Sequence, residues 1–156
     1  MAKFTKREIG MTAIGGSCLC GGVKFEITGP LSSPLNRHCS QCRKQHGAPF
    51  RIRVRVQVED FRWLQGEHLI KYYEGRGGIL RGFCRECGSP IVNRPTPKWK
   101  RTAEFPGALS EYGVPLAILD DDPPVRPACH VSVASKAPWF EITDDLPQYP
   151  EYAPIK

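Results

Sequence analysis

The chain has 156 residues, of which 40% are hydrophobic and 24% charged, a composition typical of one globular domain with its own core. Its formal net charge is +6, but the basic residues are scattered, so the charge does not indicate a nucleic-acid surface. No stretch approaches the roughly 20 apolar residues of a membrane helix, and residues 1–16 lack the apolar run of a signal peptide. We therefore predict a cytoplasmic protein whose seven cysteines are reduced and form no disulfides.

Alternation of apolar and polar residues predicts short strands along most of the chain. The 15 glycines and 15 prolines argue against long helices and favour turns. This pattern predicts a single mainly β domain over residues 16–150, between a flexible N-terminal tail of residues 1–15 and a C-terminal tail of residues 151–156. The predicted strands, in chain order, are 21–28, 51–58, 68–74, 78–84, 89–95, a short one that begins at 114, and 128–135.

The strand at 51–58 alternates most strictly, with the side chains of Arg51, Arg53 and Arg55 on one face. We interpret this face as basic and solvated, above an apolar face that is buried. A row of arginines that meets an anionic ligand is the alternative. Near the C-terminus, we interpret His130 as a buried and hydrogen-bonded core histidine and expect Trp139 to cover the core.

Six of the seven cysteines fall in three close pairs, which is a metal-binding pattern in a reduced protein. Two pairs brought together from distant parts of the chain give four thiolates, a ligand set that selects zinc. Spacing alone leaves the partners open. The pair at 39 and 42 could join the pair at 84 and 87 as in a zinc ribbon, or the pair at 18 and 20 could do so. The three pairs are Cys18 with Cys20, Cys39 with Cys42, and Cys84 with Cys87.

Five segments carry a resemblance to a known family, and they span the chain from about Gly16 to Tyr149. In order, they are GSCLCGGVKFEI, RHCSQCRKQHGAPF, GFCRECGSPIV, LDDDPP and HVSVASKAPWFEI. They resemble the glutathione-dependent formaldehyde-activating family, whose domain also occurs in centromere protein V. The resemblance implies a β-tent fold of antiparallel sheets, built around a structural zinc held by Cys18, Cys20, Cys84 and Cys87.

The resemblance also implies a catalytic zinc in a Cys-x-Cys-x-x-Cys motif. Cys39 and Cys42 match its last two positions, but Arg37 stands at the first. A catalytic zinc usually has three protein ligands and one open position. The loss of one thiolate therefore predicts that a second zinc is weakly held or absent. The candidates for a third ligand are His38, His46 and Cys129.

The implied activity is that of a carbon–sulfur lyase, which joins formaldehyde and glutathione to S-hydroxymethylglutathione. The resemblance makes Cys39 and Cys42 the catalytic residues, a small thiol and an aldehyde the partners, and glutathione the cosubstrate. Arginine binds carboxylates in a bidentate manner, so Arg37, Arg43 and Arg51 are candidates for the two carboxylates of glutathione. The alternative is a zinc-stabilised binding scaffold or a thiol-redox module without this activity.

Overall fold

The computed structural model describes residues 12–154, which fold as a mainly β domain, as predicted. Each predicted strand overlaps an observed one. The strand expected from residue 68 starts only at Ile70, because the residues before it form a 3₁₀ turn. The elements, in chain order, are β1 (Ile14–Ser17), β2 (Lys24–Ile27), β3 (Leu35–Arg37), α1 (Ser40–His46), β4 (Arg51–Gln57), β5 (Phe61–Gln65), β6 (Ile70–Gly75), β7 (Ile79–Cys84), β8 (Pro90–Pro95), β9 (Glu111–Pro115) and β10 (Cys129–Val131).

The strands form two sheets, one of three strands in the order β1-β2-β5 and one of seven in the order β10-β3-β4-β9-β8-β7-β6. All neighbouring strands run antiparallel except β10 and β3, which pair in parallel. The expectation of antiparallel sheets is therefore confirmed for every pair but one. That pair places the end of β3, just before α1, beside the last strand of the chain.

The apolar core contains side chains from both sheets. The rings of Phe25 on β2 and Phe61 on β5 stack with their centroids 4.7 Å apart. Val54 on β4 and Val114 on β9 pair in register and are fully buried in the same cluster. Burial of such side chains stabilises the fold by roughly 2 kcal/mol each. The predicted apolar face of the strand at 51–58 is therefore confirmed at Val54 and Val56, whereas Val58, in the 3₁₀ turn after β4, is exposed.

The other face of the seven-stranded sheet is cationic and partly covered by α1. Side chains of residues paired across neighbouring strands point to the same face, so Arg37 and Arg51 share it, as do Asn93 and Arg81. The expected solvated basic face is wrong at Arg51, which is 6% exposed because this end of the sheet lies under the α1 segment. Arg55, further along the same strand, is exposed as predicted.

The two predicted tails are only partly within the described range. β1 begins at Ile14, inside the expected N-terminal tail, and residues 1–11 lie outside the described residues. At the other end, backbone hydrogen bonds hold the segment 147–151 against β10 and the turn after it: His130 N donates to Pro147 O at 2.8 Å and Tyr149 N to His130 O at 2.9 Å. Within residues 12–154, no helix has the length and apolar character to cross a membrane.

Candidate metal centre and cysteine–arginine cluster

Four cysteine sulfurs from two distant turns converge at one end of the domain. The Sγ atoms of Cys18, Cys20, Cys84 and Cys87 all lie within 4.8 Å of one another. The Cys18–Cys20 and Cys20–Cys84 sulfur distances are 3.5 and 3.9 Å. A tetrahedral site with metal–sulfur bonds of about 2.3 Å has sulfur–sulfur edges of about 3.8 Å. The four residues therefore could hold a metal ion, which confirms the pairing of 18 and 20 with 84 and 87.

Backbone groups orient these sulfurs before any ion binds. Val23 N donates to Cys18 Sγ at 3.2 Å, in the turn that follows β1. In the second turn, Gly88 N donates to Cys84 O at 2.7 Å, and its φ of +78° is the left-handed conformation that favours glycine. Leu19 N donates to Ser89 Oγ at 2.9 Å and so joins the two turns. The Cys-x-x-Cys-Gly sequence at 84–88 therefore forms a tight turn, or knuckle.

The other close pair, Cys39 and Cys42, lies apart from that group, so the zinc-ribbon alternative is wrong. Cys39 caps the N-terminus of α1, and its Sγ accepts from Cys42 N at 3.3 Å. Cys42 is the buried residue of α1, at 3% exposure. The helix ends at Gly47, whose φ is +58°. This short helix holds both sulfurs where β3 and β4 meet.

The positive charges of three arginines act on Cys42, and with the two cysteines they form what we call the cysteine–arginine cluster: Cys39, Cys42, Arg37, Arg51 and Arg81. The acceptors near these arginines are neutral amides. Gln45 Oε1 accepts from Arg81 Nη1 at 2.6 Å and from Arg51 Nη1 at 3.5 Å. Among the described residues, no carboxylate lies within salt-bridge distance of the three guanidiniums.

Several of the polar atoms here are buried without a hydrogen-bond partner, namely Nε of Arg37, Nε of Arg51 and Nε2 of His46. An unpaired charge in a buried site is costly. The cluster is consequently a region of excess positive charge. An anion is the natural counterpart of such a site.

The two thiols of the cluster differ in acidity. The hydrogen bond from Cys39, together with nearby Arg51 and Arg37, lowers the pKa of Cys42 to about 5 despite its burial. The same hydrogen bond, with burial, raises the pKa of Cys39. Burial lowers the pKa of Arg51 to about 10, which leaves it cationic at neutral pH. At neutral pH the pair therefore shares one proton, held on the half-buried Cys39.

The three candidates for a third ligand do not complete a metal site with this pair. Among residues 12–154, the four-cysteine group is the one set of three or more ligand atoms that converge. His38 Nε2 instead lies 2.8 Å from Nδ1 of His130. The pKa of His46 falls to about 4, chiefly through burial. Burial raises the pKa of the Cys129 thiol on β10.

Sequence reasoning missed the hydrogen-bonded chain that connects His38 to the surface. His130 Nε2 lies 3.0 Å from Asp144 Oδ2, and both imidazoles are fully buried, at 0 and 1% exposure. The interpretation of His130 as a hydrogen-bonded core histidine is confirmed. No local signal identifies Asp144, because it belongs to an acidic turn of unremarkable composition, 14 positions after His130. This chain anchors the residue directly before Cys39.

A surface cavity of about 220 Å³ lies beside α1 and is lined by Arg43, Lys44, Gly47, Ala48 and Trp139. Trp139 is 73% exposed, so the expectation that it covers the core is wrong. Arg43 donates from Nε to His38 O at 3.3 Å and from Nη2 to Ser135 O at 3.2 Å. These bonds hold one cationic side chain at the cavity wall. The third predicted binding residue, Arg43, therefore lies outside the cysteine–arginine cluster.

The fold and the convergent sulfurs define a mainly β protein with a four-cysteine group that could hold a metal ion. The family model "Glutathione-dependent formaldehyde-activating enzyme" matches residues 13–135, which is most of the chain. The chain therefore belongs to the glutathione-dependent formaldehyde-activating enzyme family. The match includes all three cysteine pairs, and the resemblance inferred from the sequence is confirmed.

One relative carries the same family name, and one solved structure has a similar fold. A Halomonas elongata protein, whose name assigns it to the same family, is 28% identical over 134 residues, which are 81% of this chain and 79% of that protein. A crystal structure of a Rhodobacter sphaeroides protein from a structural-genomics effort matches with a TM-score of 0.53 and 26% identity. That match covers 70% of this chain and 91% of the other.

Proposed function

We propose that this protein joins a small anionic thiol to formaldehyde and that glutathione is the thiol. The single observation that carries the proposal is the cysteine–arginine cluster, which offers positive charge without carboxylates beside two thiols in a member of this family. The charge suits a substrate that is itself an anion. The activity is the carbon–sulfur bond chemistry expected from the sequence.

The reaction conserves its atoms and needs no oxidant. The thiol sulfur attacks the aldehyde carbon as thiolate, a carbon–sulfur bond forms, and the carbonyl π bond becomes an alkoxide. The proton that leaves the thiol ends on that oxygen, giving the S-hydroxymethyl adduct, a hemithioacetal. Guanidiniums near the reacting atoms stabilise the thiolate and the developing alkoxide. Cys39, the N-cap of α1, keeps its proton because its pKa is raised, so it would donate a hydrogen bond to the developing alkoxide.

Binding of the tripeptide is supported by the cavity beside α1. Glutathione carries two carboxylates, and Arg43 and Lys44 supply cations at the cavity wall. The exposed indole of Trp139 offers an apolar face for the peptide backbone. Cys39 and Arg37, at the other end of the same short segment, would receive the thiol end. The ligand would thus lie along α1.

Zinc is the proposed ion of the four-cysteine cluster, because four thiolates in a closed tetrahedral set are typical of structural zinc. In this role the ion ties the turn after β1 to the turn after β7 and takes no part in the reaction. Elemental analysis of the purified protein tests the identity of the metal. Iron in place of zinc would contradict it.

The activity is tested by exchange NMR with ¹³C-formaldehyde and glutathione, in which an active protein speeds exchange between free formaldehyde and the adduct. We expect acceleration by the wild type and a loss of at least about tenfold in Cys39→Ala, since a positioned proton donor typically contributes 10²-fold or more. Cys129→Ala is the matched control, because Cys129 is buried in β10 away from α1. No acceleration by the wild type would contradict the proposal.

A second candidate, thiol–disulfide exchange, is favoured by the hydrogen bond between Cys39 and Cys42 and the lowered pKa of Cys42. In that reaction the two thiols lose two electrons and two protons to oxidised glutathione, which is reduced to two glutathione molecules. Mass spectrometry after incubation with oxidised glutathione distinguishes the candidates. A Cys39–Cys42 disulfide formed at a cytosolic glutathione poise would favour this second function.

A further inference from the structure

The family resemblance implies a second zinc at Cys39 and Cys42, and the residues around these sulfurs show whether such an ion fits. Protein zinc sites use at least three protein ligands, drawn from thiolates, imidazoles and carboxylates. Cys39 and Cys42 supply two, and no third ligand atom among residues 12–154 converges with them. Nε2 of His38 is paired with Nδ1 of His130, and its Nδ1, although buried without a partner, does not converge with the two sulfurs. The two sulfurs therefore lack the third protein ligand that a zinc site needs.

The charge at this place is also unfavourable for a cation. Arg37, Arg51 and Arg81 all act on Cys42. Two thiolates would only neutralise a zinc ion, and three guanidiniums would still face it without a carboxylate partner among the described residues. At the low effective dielectric of a buried site, this repulsion is strong.

Arg37 has a particular place in this arrangement. It is the last residue of β3 and pairs with Arg51 of β4, so the two side chains share the face on which α1 lies. Its Nε is buried without an acceptor. Arg51 is buried and also has an unsatisfied Nε. The Nε atoms of both guanidiniums are thus shielded from solvent, on the face of the sheet that α1 partly covers.

We propose that the cysteine–arginine cluster is a metal-excluding thiol site, in which the guanidiniums of Arg37, Arg51 and Arg81 take the place of a metal ion. Arg37 is the residue that decides this, because it adds a charge where a third ligand would be needed. The protein then binds one zinc ion per chain, in the four-cysteine cluster, and Cys39 and Cys42 stay free thiols. This goes beyond the proposed function, since it holds whether or not the protein acts on formaldehyde.

The first test is the zinc content of the full chain, measured by elemental analysis and native mass spectrometry after saturation with zinc and removal of the excess. We expect one zinc per chain in the wild type. Arg37→Cys removes a charge and adds a thiolate, so we expect two zinc ions. Adding Cys42→Ser to Arg37→Cys should return the count to one.

The control is Arg37→Ser, which removes the charge without adding a thiolate and is expected to hold one zinc. Two zinc ions in the wild type, with one lost in Cys39→Ser, would overturn the proposal. An Arg37→Cys chain that folds but holds one zinc would overturn the role of Arg37.

A second measurement uses the wild type alone, so it tests the proposal even if Arg37→Cys does not fold. Zinc-saturated wild type is treated with a maleimide and the labelled cysteines are identified by mass spectrometry. Because Cys39 carries no metal under the proposal, we expect its labelling, which its raised pKa makes slow, to be the same with and without added zinc, while the four-cysteine cluster is protected by the metal. Protection of Cys39 that depends on added zinc would overturn the proposal.

Discussion

The four-cysteine cluster and the cysteine–arginine cluster contain the same Cys-x-x-Cys step, yet they surround sulfur with opposite charge. In the first, each sulfur lies beside other sulfurs, and backbone N–H groups orient them. In the second, two sulfurs lie beside three guanidiniums. The first arrangement suits a cation and the second an anion. The spacing of a cysteine pair therefore does not determine its chemistry, whereas the charges around the pair do.

The largest expected difference between the two clusters is in stability. Cys84→Ser should release the metal and lower the free energy of unfolding by on the order of 5 kcal/mol or more, since structural zinc contributes apparent binding energies above that figure. Cys39→Ser should cost less than about 1 kcal/mol, because serine is itself a preferred helix cap. Chemical denaturation with parallel zinc analysis measures both. Equal losses in the two variants would contradict the contrast.

Acid should lower the free energy of unfolding, because two buried histidines lie near the cysteine–arginine cluster. Burial lowers the pKa values of His38 and His46 to about 4, below the value of about 6.5 in an unfolded chain. Between these values the unfolded chain binds more protons, so stability is fully present above pH 6.5 and is lost as the pH falls towards 4. We expect the free energy of unfolding to fall by roughly 2 kcal/mol per histidine between pH 7.5 and pH 5.

Urea unfolding over that pH range measures the effect, with zinc content followed to exclude metal loss. His46→Gln should remove roughly 2 kcal/mol of the pH dependence, the contribution expected from one such histidine. The control is His68→Gln, because His68 is exposed in a turn before β6. An unchanged slope in His46→Gln would show that His46 is not held neutral.

The glutamines that accept hydrogen bonds from the arginines should differ in how much they stabilise the fold. Gln45→Ala should cost about 2 kcal/mol, because Gln45 Oε1 accepts from both Arg81 and Arg51 and its loss leaves buried donors unsatisfied. Gln41→Ala should cost less than about 1 kcal/mol, since Gln41 is exposed and accepts only from Arg81 Nη2 at 3.0 Å. Equilibrium unfolding of both variants decides the order. A greater cost for Gln41→Ala would contradict the buried network.

The smallest expected effects come from two matched glycines. Gly88 follows the metal-site knuckle and Gly47 ends α1; both have positive φ, and an added Cβ at either would meet no atom within 4 Å. Each change to alanine should therefore lower the free energy of unfolding by about 1 kcal/mol, through left-handed backbone strain without a steric clash. Gly88→Ala should also weaken metal affinity, and Gly47→Ala should not. A chelator competition on both variants separates the two regions.

Much of the fold was predictable because it depends on local patterns. Alternation along residues 51–58 predicted β4, and the close cysteine pairs predicted a site of four thiolates. The exposure of the arginines was not predictable, because the α1 segment covers Arg51 while Arg55 stays in solvent, and a period of two cannot distinguish them. The anchoring of His38 by His130 and Asp144 joins residues far apart in the chain and leaves no local signal.

By itself, the sequence determined the class of the protein, the presence of a four-thiolate site and the departure at Arg37, because residue type, order and spacing are properties of the chain. Only the tertiary structure decided that the cysteines at 18 and 20 join those at 84 and 87, and that Arg37, Arg51 and Arg81 enclose Cys42. The physical reason is that ligation and charge act over a few ångströms in space. Strand order and register set those distances, and neither can be read from spacing along the chain.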